Sequence, residues 1–181
     1  MKCIVIYWSK TGNTRKVAEA VQDGLAGAGA DVVLKTVDEV PGIDFFDYDL
    51  VCLGSPSYNW RPPEPVERFL KDRFTVYRRE GRIKLSAPRV PGKYALLFCT
   101  YSGPHTGLAE AVPVGKYMGQ FFDHLGFWVL DEWYVLSEFH GSEENSTRGR
   151  MGDIRGLPTA RDLEGIRTKA KNLYREITEA N

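Results

Sequence analysis

Hydrophobic positions along the chain fall into five short runs separated by stretches with helical spacing. The runs are Cys3 to Trp8, Val32 to Val37, Leu50 to Leu53, Tyr94 to Cys99 and Phe127 to Leu136. Continuous rather than alternating apolar runs favour strands buried on both faces, as in a parallel sheet. Asp131 and Glu132 interrupt the fifth run, and this pattern suits an edge strand better.

Between the runs, apolar residues recur at the spacing of amphipathic helices. Four stripes are present: Val17 to Leu25, Val66 to Leu70, Val114 to Leu125 and Leu163 to Ile177. Gly27 and Gly29 end the first stripe, prolines precede the second, and Thr159 with Asp162 forms a capping pair before the last. The alternation predicts an α/β fold with a doubly wound parallel sheet, right-handed crossovers and helices on both faces.

Length and composition are those of an ordinary folded domain. The 181 residues predict one domain spanning 1–181, because domains average about 150 residues. Hydrophobic residues are 43% and charged residues 27%, which excludes disordered and fibrous classes. The 24 basic and 24 acidic residues cancel, so the total charge does not favour nucleic acid or an anionic membrane as a partner.

Three cysteines, Cys3, Cys52 and Cys99, each lie inside an apolar run. Their odd number and wide spacing predict buried thiols rather than disulfides or a metal site. The apolar segment at the N-terminus is too short for a secretory signal, and no apolar stretch approaches the length of a membrane span. We therefore expect a cytoplasmic protein without membrane insertion.

The loop after the first run has the character of an anion cradle. It reads Ser9-Lys10-Thr11-Gly12-Asn13-Thr14 and leads directly into a helix. Its hydroxyl groups converge with the free backbone N–H groups and the positive dipole end of that helix, which favour a phosphate. The spacing is neither that of a Walker A loop nor that of a GxGxxG loop, and a plain helix cap is the alternative.

The loops after the third and fourth runs combine flat aromatic side chains with small polar ones. They span residues 54–63 and 100–107, and they carry Tyr58, Trp60 and Tyr101. Ligands of open α/β sheets bind at the carboxyl ends of the strands. Aromatic faces and hydroxyl groups at that edge suit a planar ligand, whereas burial against neighbouring loops is the alternative explanation of the aromatics.

Together these loops resemble the cofactor site of the flavodoxins. Residues 9–14 fit the phosphate-loop pattern [TS]-x-T-G-x-T at each fixed position, and the resemblance extends over nearly the whole chain. It implies an FMN site and a five-stranded sheet of order 2-1-3-4-5. The family typically holds the FMN phosphate with neutral donors, and here Ser9, Thr11, Asn13 and Thr14 would do so.

The resemblance implies two groups of cofactor-binding residues. In the phosphate loop these are Ser9, Lys10, Thr11, Gly12, Asn13 and Thr14. Flanking the flavin ring are Ser55, Pro56, Ser57, Tyr58, Asn59, Trp60, Thr100, Tyr101, Ser102, Gly103 and His105. His105 is the one candidate proton donor, because imidazole exchanges protons near neutral pH; a structural or ring-edge contact is the alternative. No metal is expected.

Three functions remain open within this resemblance. The leading hypothesis is an electron-transfer protein with unknown donor and acceptor, and the alternative is an NAD(P)H-dependent quinone or flavin oxidoreductase. Many flavodoxins place a glycine in the loop after the third strand, but this chain has none between Gly54 and Gly81. Carrier flavodoxins also tend to be acidic, whereas this chain has no net charge. Both differences weaken the carrier hypothesis. The intact phosphate loop argues against a third class, an interaction module without cofactor.

Two segments exceed what a minimal flavodoxin needs. Residues 67–93 contain nine basic and three acidic residues, which suits a solvated surface, a protein partner or a dinucleotide phosphate. Residues 137–158 form a long loop rich in Gly, Ser, Glu and Arg before the C-terminal helix expected at 159–178. A loop of this length is usually functional or mobile. It could cover the flavin, bind a partner or pack in a homo-oligomer.

Overall fold

Five strands form one parallel sheet in the computed structural model, which describes residues 1–179. The strands are β1 (Lys2–Tyr7), β2 (Asp31–Thr36), β3 (Leu50–Pro56), β4 (Tyr94–Tyr101) and β5 (Trp128–Leu136), and their order is β2-β1-β3-β4-β5. This confirms the order 2-1-3-4-5 and the edge position of the fifth strand. β2 is the other edge and is correspondingly less buried than the three central strands.

Helices cover both faces of the sheet, as the apolar stripes predict. They are α1 (Asn13–Ala26), α2 (Glu64–Arg79), α3 (Val112–His124), the short α4 (Glu143–Thr147) and α5 (Ala160–Glu179). One apolar core joins α2 and α3 to one face of the sheet, and a second core joins α1 and α5 to the other. Two details differ from the expectation: Tyr117, which belongs by its spacing to the apolar stripe Val114 to Leu125 predicted to be core, is 38% exposed, and the long loop 137–158 contains α4.

The strands end together at one edge of the sheet. The parallel register pairs Tyr7 with Gly54, Pro56 with Thr100, and Tyr101 with Leu136. Because the carboxyl ends coincide, the segments after β1, β3, β4 and β5 meet above this edge. The three cysteines lie below it in the two cores, and burial raises the pKa of the Cys3 thiol to about 12.

The C-terminal helix begins with the capping pair that the sequence predicts. The Asp162 amide donates to the Thr159 hydroxyl at 3.2 Å, and the Asp162 carboxylate accepts from the Thr159 amide at 2.8 Å. Accepting from the Thr159 hydroxyl and amide lowers the pKa of Asp162. These reciprocal hydrogen bonds satisfy donors that the first helical turn leaves free.

Thr159→Ala is expected to lower the free energy of unfolding by about 1 kcal/mol, because the helix loses its cap. Chemical denaturation at neutral pH measures the change. A carboxyl with a lowered folded pKa stabilises the fold above its unfolded pKa of about 3.9 and loses that contribution as the pH falls. The difference in free energy of unfolding between wild type and variant should therefore shrink below about pH 4. An equal difference in this free energy at pH 7 and at pH 3 would contradict the role of Asp162.

Candidate functional site

A cavity of about 610 Å³ lies at the carboxyl edge of the sheet. Its volume falls within the range of about 300–1,000 Å³ that is usual for small-molecule sites. The segments after β1, β3, β4 and β5 each contribute to its wall. The residues predicted to bind a cofactor lie on or beside the first three of these segments.

The segment after β1 forms a turn that opens onto the first amides of α1. Gly12 has φ 100°, a left-handed conformation that a side chain strains. Its amide donates to the Ser9 hydroxyl at 3.1 Å, and its carbonyl accepts from the Lys16 amide. The first turn of α1 contains no acidic residue, so the positive end of the helix dipole is left for an anion.

Two hydroxyl groups meet at the base of the cavity. Thr14 Oγ1 and Thr100 Oγ1 lie 2.8 Å apart, and both residues are buried. Each hydroxyl has a single hydrogen, and their mutual bond uses only one of the two. The second hydrogen is therefore available to a ligand in the cavity, which both threonines line.

Asn13 joins the start of α1 to the segment after β5. Its Nδ2 donates to the Glu138 carbonyl at 3.1 Å. The side chain is 6% exposed, and its Oδ1 has no hydrogen-bond partner among the described residues. A buried acceptor without a partner costs free energy, and this residue lines the cavity. A ligand with a hydroxyl or N–H group would satisfy it.

The segment after β3 presents aromatic side chains on a tight turn. Asn59 and Trp60 have φ of 49° and 63°, and Tyr58 and Arg61 exchange two backbone hydrogen bonds around them. Two consecutive left-handed residues define a type I′ turn. Tyr58 packs edge to face on Trp8, with ring centroids 6.0 Å apart. Trp60 is 61% exposed, so a flat apolar surface stands at the cavity mouth.

The segment after β4 is tied to its neighbours on both sides. The Ser57 amide donates to the Thr100 carbonyl at 2.9 Å, and the Ser102 hydroxyl donates to the Ser137 carbonyl at 2.8 Å. Burial raises the pKa of Tyr101, as it does that of Tyr58, so both phenols are neutral near pH 7. Neutral rings suit a planar ligand better than phenolates would.

All but two of the residues predicted from the sequence line this cavity. Gly12 shapes the turn instead. Ser55 is fully buried in β3, and its hydroxyl donates to the Pro56 carbonyl at 2.9 Å. His105 lines the cavity and is exposed, and its ring makes no hydrogen bond or ion pair within residues 1–179. Whether these residues bind a cofactor stays a prediction.

The cavity has a further wall, whose residues are not among the predicted cofactor-binding residues. They are Pro104, Glu110, Ser137, Glu138, Phe139, His140 and Asn145. Most belong to the segment 137–158, for which covering the flavin was one of three predicted roles. Besides the bonds from Asn13 and Ser102, the Arg150 amide donates to the Pro104 carbonyl at 2.8 Å. The segment is thus fastened to the neighbouring loops.

The basic segment 67–93 lies away from the cavity, and none of its residues lines it. Most of its cations have a partner within the chain: Arg68, Lys71, Arg73, Arg82, Arg89 and Lys93. Five of these six pair with carboxylates, and Arg73 donates to the Ile43 carbonyl, so much of the positive charge of the segment is balanced locally. Arg78, Arg79 and Lys84 are the exposed remainder.

Within residues 1–179, no group of three or more His, Cys, Asp or Glu side chains is arranged to hold a metal ion. None of the helices over the same residues has the length and apolar character needed to cross a membrane.

Fold and cavity together define a doubly wound α/β protein with a cavity at the carboxyl edge of its sheet. Comparison with known families agrees with this class: the profile of the family described as "Flavodoxin domain" matches residues 4–132. The chain belongs to the flavodoxin domain family.

Relatives of two kinds are similar to the chain. A flavodoxin of Aquifex aeolicus is 39% identical over 72 residues, which are 39% of either chain. An "NAD(P)H dehydrogenase (quinone)" of Archaeoglobus fulgidus is 28% identical over 206 residues, covering 98% of this chain and 96% of that protein. The structure of oxidised flavodoxin 1 from Bacillus cereus matches with a TM-score of 0.66 at 13% identity, over 97% of this chain and 98% of that one. This structural likeness shows a shared fold.

Proposed function

We propose that the chain is a single-domain protein that binds FMN without a covalent bond and mediates electron transfer. The observation that carries the proposal is the cavity itself, which combines the flavodoxin phosphate-loop pattern at a helix N-terminus with aromatic side chains on a neighbouring loop. Family membership supports the same cofactor. The bound flavin supplies the redox chemistry, and the protein supplies binding and orientation.

The residues present fit FMN. The phosphate loop offers the Ser9, Thr11 and Thr14 hydroxyls and the free amides of α1, all neutral donors beside the positive end of a helix dipole. The unpaired Asn13 Oδ1 is a buried acceptor that a ribityl hydroxyl would satisfy. Tyr58 and Trp60 would flank the ring on one side, and the segment 100–105 would flank it on the other.

An NAD(P)H-dependent quinone or flavin oxidoreductase is the second candidate. Similarity to the A. fulgidus quinone dehydrogenase covers 98% of the chain, whereas similarity to the A. aeolicus flavodoxin covers 39%. The longer match includes the segment 137–158, which forms the additional wall of the cavity. The partners of an oxidoreductase would be NAD(P)H and a quinone. The partners of an electron-transfer protein would be other redox proteins.

Cofactor content tests the shared part of both candidates. The purified protein should be yellow and should release one FMN per chain on denaturation, measured by flavin fluorescence and chromatography. Protein purified without flavin should regain the colour when FMN is added. A colourless protein that takes up no added FMN would overturn the proposal.

Redox behaviour separates the two candidates. A carrier should be reduced in two resolved one-electron steps during a spectroscopic titration, and it should consume NADPH slowly. An oxidoreductase should oxidise NADPH rapidly with menadione as acceptor and show a single two-electron step. The same assay on protein stripped of FMN is the control, because activity without cofactor cannot come from this site.

A further inference from the structure

Glu110 holds together the two loops proposed to flank the flavin ring. It lies at the end of a short 3-10 helix, Gly107–Glu110, which follows β4. Its Oε1 accepts from the His105 amide at 2.8 Å and from the Thr106 amide at 2.6 Å. Its backbone carbonyl accepts from the Ser57 hydroxyl. One residue therefore contacts both the loop after β3 and the loop after β4.

The loop after β4 is folded tightly enough to need this acceptor. Gly103 and Gly107 both have positive φ, and the Gly107 amide donates to the Gly103 carbonyl at 3.1 Å. A Cβ on Gly103 would lie 2.6 Å from the Gly107 carbonyl oxygen, so the two backbones are in direct contact. The turn directs two consecutive amides at one oxygen of Glu110, and these two hydrogen bonds hold the loop in a single conformation.

The carboxylate also brings a charge to the cavity wall. Glu110 is partly buried and lines the cavity. Within residues 1–179 its carboxylate forms no ion pair with a lysine, arginine or histidine, and its contacts are the backbone of its own loop and the Thr106 hydroxyl. A negative charge that no cation balances disfavours the addition of electrons nearby, most strongly where protein excludes water.

We propose that the Glu110 side chain is a positioning group that fixes the loop after β4, and that its negative charge lowers the reduction potential of the bound flavin. This inference rests on the proposed FMN site. The two effects are separable, because an uncharged glutamine offers the same acceptor oxygen to the His105 and Thr106 amides. Alanine offers neither the acceptor nor the charge.

Three variants test the proposal: Glu110→Gln, Glu110→Ala and the matched control Glu176→Gln. Glu176 is exposed on α5, within one helical turn of Tyr174. The Tyr174 hydroxyl accepts a hydrogen bond from the Met1 amino group, at the amino-terminal edge of the sheet. Glu176 therefore lies at the edge opposite the cavity, and its change to glutamine removes the same charge. FMN dissociation constants and midpoint potentials are measured for wild type and all variants at pH 7.

E110Q should keep the FMN dissociation constant within about threefold of wild type, because it keeps both hydrogen bonds, and should shift the midpoint potential to a more positive value. E110A should shift the potential in the same direction and weaken FMN binding by about tenfold or more. E176Q should change neither quantity.

Two outcomes would overturn the inference. One is an E110Q potential equal to that of wild type; the other is an E110A variant that binds FMN as tightly as wild type. Should E110A fail to fold, E110Q still decides the electrostatic part, and its wild-type affinity combined with a shifted potential is not explained by misfolding. A wild-type protein that binds no FMN would instead overturn the proposed function, so the two failures are distinguishable.

Discussion

Replacing Thr11 and Thr14 together by valine is expected to weaken FMN binding by about 100-fold or more. Hydrogen bonds to a charged group contribute about 1.5–3 kcal/mol each, and each tenfold change in affinity corresponds to about 1.4 kcal/mol. Valine keeps the branched shape of threonine but lacks the hydroxyl. At position 14 the change also removes the partner of Thr100 Oγ1. Fluorescence titration with FMN measures the loss.

Riboflavin sharpens this test because it has the flavin ring without the phosphate. Wild type should prefer FMN, and the double variant should lose most of that preference. Thr75→Val is the matched control, since its hydroxyl donates to the Lys71 carbonyl on the exposed face of α2, away from the cavity. Equal weakening for FMN and riboflavin would contradict phosphate binding by these hydroxyls.

Gly54→Ala is expected to lower the free energy of unfolding by about 3 kcal/mol, the upper part of the range for overpacked cores. Gly54 lies in β3, at the centre of the sheet, and is paired with Tyr7 on one side and Phe98 on the other. A Cβ there would lie 2.0 Å from Cε2 of the Phe98 ring. Phe98 is fully buried, so the clash can be relieved only by moving core side chains or the backbone of β3.

Gly165→Ala is the control for this prediction. Gly165 lies in α5, and a Cβ there would have no neighbouring atom within 4 Å. Alanine in a helix interior is favoured over glycine by about 1 kcal/mol, so this variant should be slightly more stable than wild type. Urea denaturation followed by circular dichroism measures both changes. A Gly54→Ala protein as stable as wild type would show that the core beside Phe98 can repack.

Much of the fold could be predicted because its signals are local. Each apolar run is short enough to recognise from neighbouring residues, and each became a strand within a few positions of the expected bounds. The exceptions are also instructive. Tyr117 has the spacing of the α3 core stripe but is 38% exposed, because it lies at the margin of the buried face and the packing of the neighbouring elements decides how far that face extends.

The site was predictable where a loop directly follows a strand. Residues 9–14 and 57–60 line the cavity, apart from Gly12, because the carboxyl ends of parallel strands coincide. Ser55 is the counterexample. It was assigned to the ring-flanking group, but β3 extends to Pro56 and buries its side chain. A shift of one or two residues in the end of a strand decides which side chains reach the cavity.

The sequence by itself determined the α/β class, the order of the elements and the place of the loop 9–14 at the cavity, since each depends on spacing within a few residues. Tertiary structure alone decided the remaining wall of the cavity. The Asn13 side chain meets the Glu138 carbonyl across 125 residues of chain, and the Ser57 hydroxyl meets the carbonyl of Glu110. Nothing near these residues in the sequence marks them as partners. Only the packing of the loops above the sheet brings their polar groups within hydrogen-bond distance.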